Sequence, residues 1–163
     1  MVVVGDEGCG KTALIHRLIG RPFDSMHVPT LEAQYPHPWH PATAILDTAG
    51  ARDADRLRPI SYRNAGLILL CYRPNIPFAF LGLLDRWGPE LNHYVPTVPR
   101  LLVGCAVDAA DRPQAAAAVA GEAAAAASVR PSEAAAGTLA AKLRCEGYIA
   151  TSARTGAGVV AAF

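Results

Sequence analysis

The stretch Gly5-Asp6-Glu7-Gly8-Cys9-Gly10-Lys11-Thr12 decides the fold; it follows Val2-Val3-Val4 and leads into Ala13-Leu14-Ile15. It fits G-x-x-x-x-G-K-[ST], a pattern that carries weight when a strand precedes it and a helix follows. Val2 to Val4 is a short β-branched run that ends at glycine, as a buried strand does. Thr12 to Ile19 puts Leu14, Ile15, Leu18 and Ile19 on one helical face. The loop between them has a direct physical use. Its glycines let backbone N–H groups turn inward around phosphate oxygens, and the helix N-terminus adds positive potential. Lys11 adds a point charge for the outer phosphates, and the Thr12 hydroxyl offers an oxygen to Mg²⁺. Thirteen of the fifteen basic residues are arginine, so one of two lysines falls at this position.

Working outward, Asp47-Thr48-Ala49-Gly50 follows a short strand candidate, Ala44 to Leu46. A carboxylate at a strand end can hold a metal through water, and the Gly50 N–H can meet a terminal phosphate. Leu67 to Tyr72 and Leu101 to Gly104 are continuous apolar runs, the mark of parallel strands covered on both faces. Phe78 to Leu91 reads as helix, and Tyr148 to Ala150 as a last short strand. Strands alternating with helices predict a parallel α/β domain. PHPWHP (36–41) holds three prolines and cannot sit in a central strand. Its His37 and His40 read as a surface turn. Residues 109–141 hold 17 of the 32 alanines. They read either as an exposed helix, interrupted near Gly121 and stopped by Pro131, or as a low-complexity linker.

Composition narrows the function. At 163 residues with 52% hydrophobic content, the chain makes one domain with one core. A net charge of +1 argues against a nucleic-acid partner. No apolar run reaches the ~18 residues of a membrane span, and no signal-peptide pattern opens the chain. Cys9, Cys71, Cys105 and Cys145 show no CxxC or zinc spacing and read as free thiols of a cytoplasmic protein.

Taken together, GDEGCGKTAL (5–14), VPT (28–30), DTAG (47–50), DRLRPISY (55–62), RWGPEL (86–91), VPRLLVGCAVD (98–108) and YIATSARTGAGV (148–159) resemble a small GTPase of the Ras superfamily, in its Rho branch. The resemblance implies a P-loop NTPase small G domain over 1–163, with a mostly parallel central sheet flanked by helices. It also implies a Rho-type helical insert at about 109–130 and a truncated last helix. The cofactors implied are GTP and Mg²⁺. Nucleotide-binding residues would be Gly5, Gly8, Cys9, Gly10, Lys11, Thr12, Ala13, Phe23, Thr30, Asp47, Gly50, Asp108, Ser152, Ala153 and Arg154. The metal would be held by Thr12, Thr30 and, through water, Asp47. In the family's terms Thr30 senses the γ-phosphate, Phe23 lies against guanine, Asp108 accepts from the base, and the Ala153 N–H meets its O6. Partners would be effectors reading switches I and II, together with Rho regulators, in actin-linked signalling. Membrane attachment cannot be inferred without a C-a-a-X box; the expected location is cytoplasmic, peripheral to a membrane if a lipidated tail lies outside this chain.

Departures from the family sharpen the expectation. Ala51 stands where the family has the water-orienting Gln, and Glu7 where it has a phosphate-loop Gly; no catalytic residue is intact. Assistance of that kind contributes roughly 10³- to 10⁵-fold in rate, so hydrolysis is expected to be poor. Cys105, in place of the usual Asn, resembles the GTP-bound Rnd subgroup, whereas Asp55-Arg56-Leu57 resembles ordinary Rho proteins. Ala106 and Arg154 replace lysines near the base, His27 replaces a Tyr, and Glu32 puts a charge where effectors meet a ring. Pro36, Pro38 and Pro41 predict a stunted or displaced second strand, and the short last helix predicts poorly covered apolar surface. A hydrolysis-poor switch, a conventional cycling GTPase and a nucleotide-free binding module are the functions these residues allow.

Overall fold

The computed structural model describes residues 1–24, 30–76, 78–105 and 132–163. In chain order these form β1 (Val2–Gly5), α1 (Lys11–Leu18), β2 (Glu32–Pro36), β3 (Ala44–Thr48), β4 (Ile68–Tyr72), α2 (Ala79–Gly82), α3 (Gly88–Tyr94), β5 (Arg100–Gly104), α4 (Glu133–Lys142), β6 (Gly147–Ala150) and α5 (Val159–Ala162). The strands make one sheet in the order β2-β3-β1-β4-β5-β6. β2 runs antiparallel to β3, and the other four pairings are parallel. β1 lies between β3 and β4, with Val3 opposite Asp47 and Gly5 opposite Cys71. That register brings the end of β1 beside the end of β3. Ligands of open parallel sheets bind at these carboxyl ends, where the strand order reverses.

Alternation along each strand builds two cores. Val2, Val4, Ile68, Leu70 and Leu102 pack with Trp87, Leu91 and Leu143 on one face. Val3, Ile45, Leu69 and Val103 pack with Leu14, Ile15 and Val159 on the other. The last helix is one short turn, Val159–Ala162. Its Val159 and Ala162 are buried against α1, while Leu67, Leu101, Ile149 and Phe163 around them are only partly covered.

Three expectations change. The second strand is neither stunted nor displaced: all five residues of β2 pair with β3, from Glu32 opposite Thr48 to Pro36 opposite Ala44. Pro36 is tolerated because β2 is an edge strand and Pro36 is its final residue. His37 is not a surface residue. It is 3% exposed, with its ring against His40, Trp39 and Phe163.

The third change concerns the end of the alanine-rich stretch: a largely exposed helix, α4, is present at Glu133–Lys142, beyond the proline expected to stop it. Ser132 caps α4, its hydroxyl accepting from the Ala135 N–H at 3.2 Å. Ala136 and Ala140 are buried in it. Small side chains let the helix lie close to its neighbours, and Gly88 does the same on α3, where a Cβ would come within 3.1 Å of Leu143. The insert at about 109–130 lies outside the described residues.

Candidate functional site

Gly5 ends β1 at φ +143°, Gly8 sits at +71° and Gly10 at +111°. Side chains rarely adopt these angles, which answers for the glycine spacing. A Cβ on Gly5 would collide with the carbonyl of Cys71, and one on Gly10 would lie 3.2 Å from the Cys105 Cβ. The loop is therefore threaded tightly between β4 and the end of β5. Cys9 closes the loop with an N–H donated to the Asp6 carbonyl at 3.3 Å and a thiol donated to the Cys71 carbonyl at 3.6 Å. Burial pushes that thiol up to about 12, so it stays neutral beside Lys11. Lys11 is 6% exposed, and its ammonium donates to the carbonyls of Gly5 and Asp6, both at 2.9 Å.

The three residues expected at a metal come together. The Thr12 hydroxyl donates to Asp47 Oδ2 at 2.6 Å and lies 3.0 Å from the Thr30 hydroxyl. Because the Thr12 proton goes to the carboxylate, Thr30 is the donor to Thr12. All three contribute oxygen, the donor chemistry of a hard divalent cation such as Mg²⁺. Asp47 is held rigidly, fully buried on β3, and Thr48 beside it donates its hydroxyl to the Val3 carbonyl at 2.9 Å. Gly50 follows where only glycine fits: a Cβ there would collide with the backbone of Gly5, Asp6 and Glu7. A cavity of about 270 Å³ opens over these groups, lined by Lys11, Thr12, Thr30 and Gly50, and also by Glu7 and Ala51.

Ala13 is half-buried in the first turn of α1. Ser152 and Ala153 are buried in a tight turn after β6, and Arg154 is exposed. In that turn the Ser152 hydroxyl accepts from the Thr155 N–H at 3.1 Å, and Thr151 donates both its N–H and its hydroxyl to the Gly104 carbonyl. This ties the turn to the end of β5, one residue before Cys105. Phe23 is 46% exposed after α1. Asp108, Ala106 and His27 lie outside the described residues.

One group of residues was not singled out for any role in the sequence. Arg58 donates to both carboxylate oxygens of Glu90, at 2.9 and 2.8 Å, to Asp55 at 2.5 Å and to the Ala49 carbonyl at 2.9 Å. Tyr62 donates a short hydrogen bond to the same Glu90. The Arg58 and Arg86 guanidinium carbons lie 4.3 and 4.6 Å from the Trp87 ring centre. These contacts fasten the segment after Gly50 to α3 and the turn before it. The passages DRLRPISY and RWGPEL contained every partner, but nothing in either shows that the two meet.

The loop, the Thr–Thr–Asp oxygen cluster and the glycine behind it define a P-loop nucleotide-binding domain. The comparisons agree. The Ras family model matches residues 1–163. GTP-binding protein Rho1 of Kluyveromyces lactis is 35% identical over 164 aligned positions, covering 98% of this chain and 77% of that protein. GTP-binding protein RHO1 of Saccharomyces cerevisiae is 33% identical, with 98% and 77% covered. Rho-related GTP-binding protein RhoD of Homo sapiens is 40% identical over 115 positions, 66% of this chain and 54% of that protein. The chain belongs to the Ras family of small GTP-binding proteins, in its Rho branch.

Proposed function

We propose that this protein is a Rho-type switch that binds Mg²⁺-GTP and hydrolyses it poorly, so that it signals from the GTP-bound state. The observation that carries the reading is a shared wall. Glu7 and Ala51 line the same cavity as Lys11, Thr30 and Gly50. A methyl group at Ala51 cannot orient an attacking water. The longer Glu7 side chain, set on the loop, narrows the space through which an activating arginine would enter. Thr12 and Thr30 would hold Mg²⁺ directly and Asp47 through water. Bound Mg²⁺ would neutralise charge on the β- and γ-phosphates. Lys11 would exchange one of its loop carbonyls for a phosphate oxygen.

Effectors reading switches I and II, and Rho-type regulators, are the partners this reading entails. The Rnd-like assignment rests on Cys105, and actin-linked signalling on the Rho resemblance. Glu32, the charged residue on the effector edge, accepts from the Ser61 hydroxyl at 2.5 Å. This hydrogen bond links β2 to the segment after Gly50.

Single-turnover phosphate release tests the reading. The wild-type chain loaded with GTP is expected to release phosphate slowly, with no response to a Rho-type activating protein. The double variant Glu7→Gly, Ala51→Gln should gain about 10³-fold or more in the assisted rate. An assisted rate in the wild type that already matches the double variant would refute it.

A further inference from the structure

Residues Leu83–Trp87, between α2 and α3, form one π turn. Pro89 explains the widening: it lacks an N–H and crowds the carbonyl four residues back. Wide turns of this kind recur at functional positions. Here two consecutive side chains, Arg86 and Trp87, converge on one carboxylate of the phosphate loop. Arg86 donates to Asp6 Oδ1 at 3.1 Å, and the Trp87 indole N–H donates to the same oxygen at 2.9 Å. Gly82 stands close behind, where a Cβ would lie 3.0 Å from Asp6 Oδ2. The second terminal nitrogen of Arg86 donates to the carbonyls of Gly50 at 3.0 Å and Ala51 at 3.1 Å, and to Asp55 Oδ1 at 2.5 Å. The Arg86 side chain is 14% exposed, so these bonds are largely shielded from water.

Asp6 follows Gly5 on the loop, so this clamp ties the start of segment 50–62 to the phosphate loop itself. Gly50 lines the cavity beside Lys11 and Thr30. It also abuts the loop, where a Cβ would collide with backbone atoms of Gly5, Asp6 and Glu7. The guanidinium therefore fixes a residue that is already on the cavity wall. Fixing a backbone group in advance lowers the ordering cost for a ligand that uses that group. Under the GTP-binding reading the terminal phosphate is that ligand, and GDP, which lacks it, gains nothing from the arrangement. We propose that Arg86 is a positioning residue for the terminal phosphate: by holding the carbonyls of Gly50 and Ala51 it presents the Gly50 N–H to that phosphate, and so favours GTP over GDP. Phosphate and guanidinium then hold the same segment jointly, each strengthening the other's hold by linkage. This role rests on the GTP-binding reading and adds a residue to it.

Competition binding on the full chain with Mg²⁺ tests this, with GDP and a non-hydrolysable GTP analogue each displacing a fluorescent GDP. Arg86→Met keeps much of the side chain's length but donates no hydrogen bond. It is expected to weaken the analogue about tenfold or more, while GDP weakens by less than about threefold. Arg86→Lys keeps the charge but loses the planar fork that serves four acceptors. Its ratio of analogue to GDP affinity should fall by about threefold, and it carries the test if Arg86→Met fails to fold. A merely structural arginine would weaken both ligands alike, so the ratio reads positioning and not stability. Equal losses for the two ligands, or an unchanged ratio in the folded variants, would overturn the proposal and leave the GTP-binding reading standing. Wild-type protein that binds neither nucleotide would bring down that reading, and the role of Arg86 with it.

Discussion

Gly50 is where sequence and site chemistry meet most tightly. A Cβ on it would collide with backbone atoms of Gly5, Asp6 and Glu7, and the residue lines the cavity. Gly50→Ala would force that backbone apart, and overpacking of this kind costs about 1–3 kcal/mol. A urea titration should show that loss, together with weaker GTP binding; unchanged stability would mean the loop yields easily. Lys11, Thr12, Asp47 and Gly50 were legible in the sequence because phosphate and cation chemistry fixes both residue type and spacing. Thr30 and Ser152 were legible only through resemblance, since a lone Thr or Ser in a loop has many uses. Arg86 was not legible: its partner Asp6 is 80 residues away, and only the folded chain puts them together.

At the scale of elements, two arginines do different work. Arg100 is 1% exposed on β5 and forms an ion pair with no carboxylate among the described residues. It donates to the carbonyls of Leu91 at 2.9 Å and Val95 at 3.1 Å, to Leu143 at 3.4 Å, and to the Asn92 side chain at 2.7 Å. The first two are carbonyls at the end of α3, where a positive charge is favoured. Arg100→Met keeps the volume but orphans these acceptors, and should lower stability by about 2–4 kcal/mol in denaturant unfolding without changing its slope. A loss well under 1 kcal/mol would show that water replaces the guanidinium.

Asp55 reports on the other arginine cluster. Burial pushes its carboxyl upward, but hydrogen bonds from Arg86 and Arg58 outweigh this and hold it below the ordinary carboxylate range. A lowered native pKa stabilises the fold fully above the ordinary value of about 3.9, and that contribution is lost as pH falls through the native value. Urea midpoints from about pH 5 down to pH 2 should therefore fall less steeply for Asp55→Asn than for the wild type. Parallel profiles would show that the clamp does not depend on this charge.

Over the whole molecule, the parallel strands β1, β4 and β5 were legible because burial on both faces leaves uninterrupted apolar runs. β2 was not, because an edge strand with alternating exposure and a terminal proline carries little pattern of its own. α4 was legible only in part: alanine predicts an exposed helix, but it adds little apolar area, so burial of Ala136 and Ala140 follows from neighbouring shape rather than from hydrophobicity. Among the described residues no helix is long and apolar enough to cross a membrane. What unites the scales is the proposed reading: a cradle for a triphosphate and its cation, with Ala51 and Glu7 on its wall where the family's assistance to hydrolysis would act. The most direct measurement is to incubate the purified protein with excess GTP and Mg²⁺, remove free nucleotide, and identify what is bound after several hours. Intact GTP at close to one per chain is expected; GDP in its place, or an empty protein, would contradict a switch that holds GTP uncleaved.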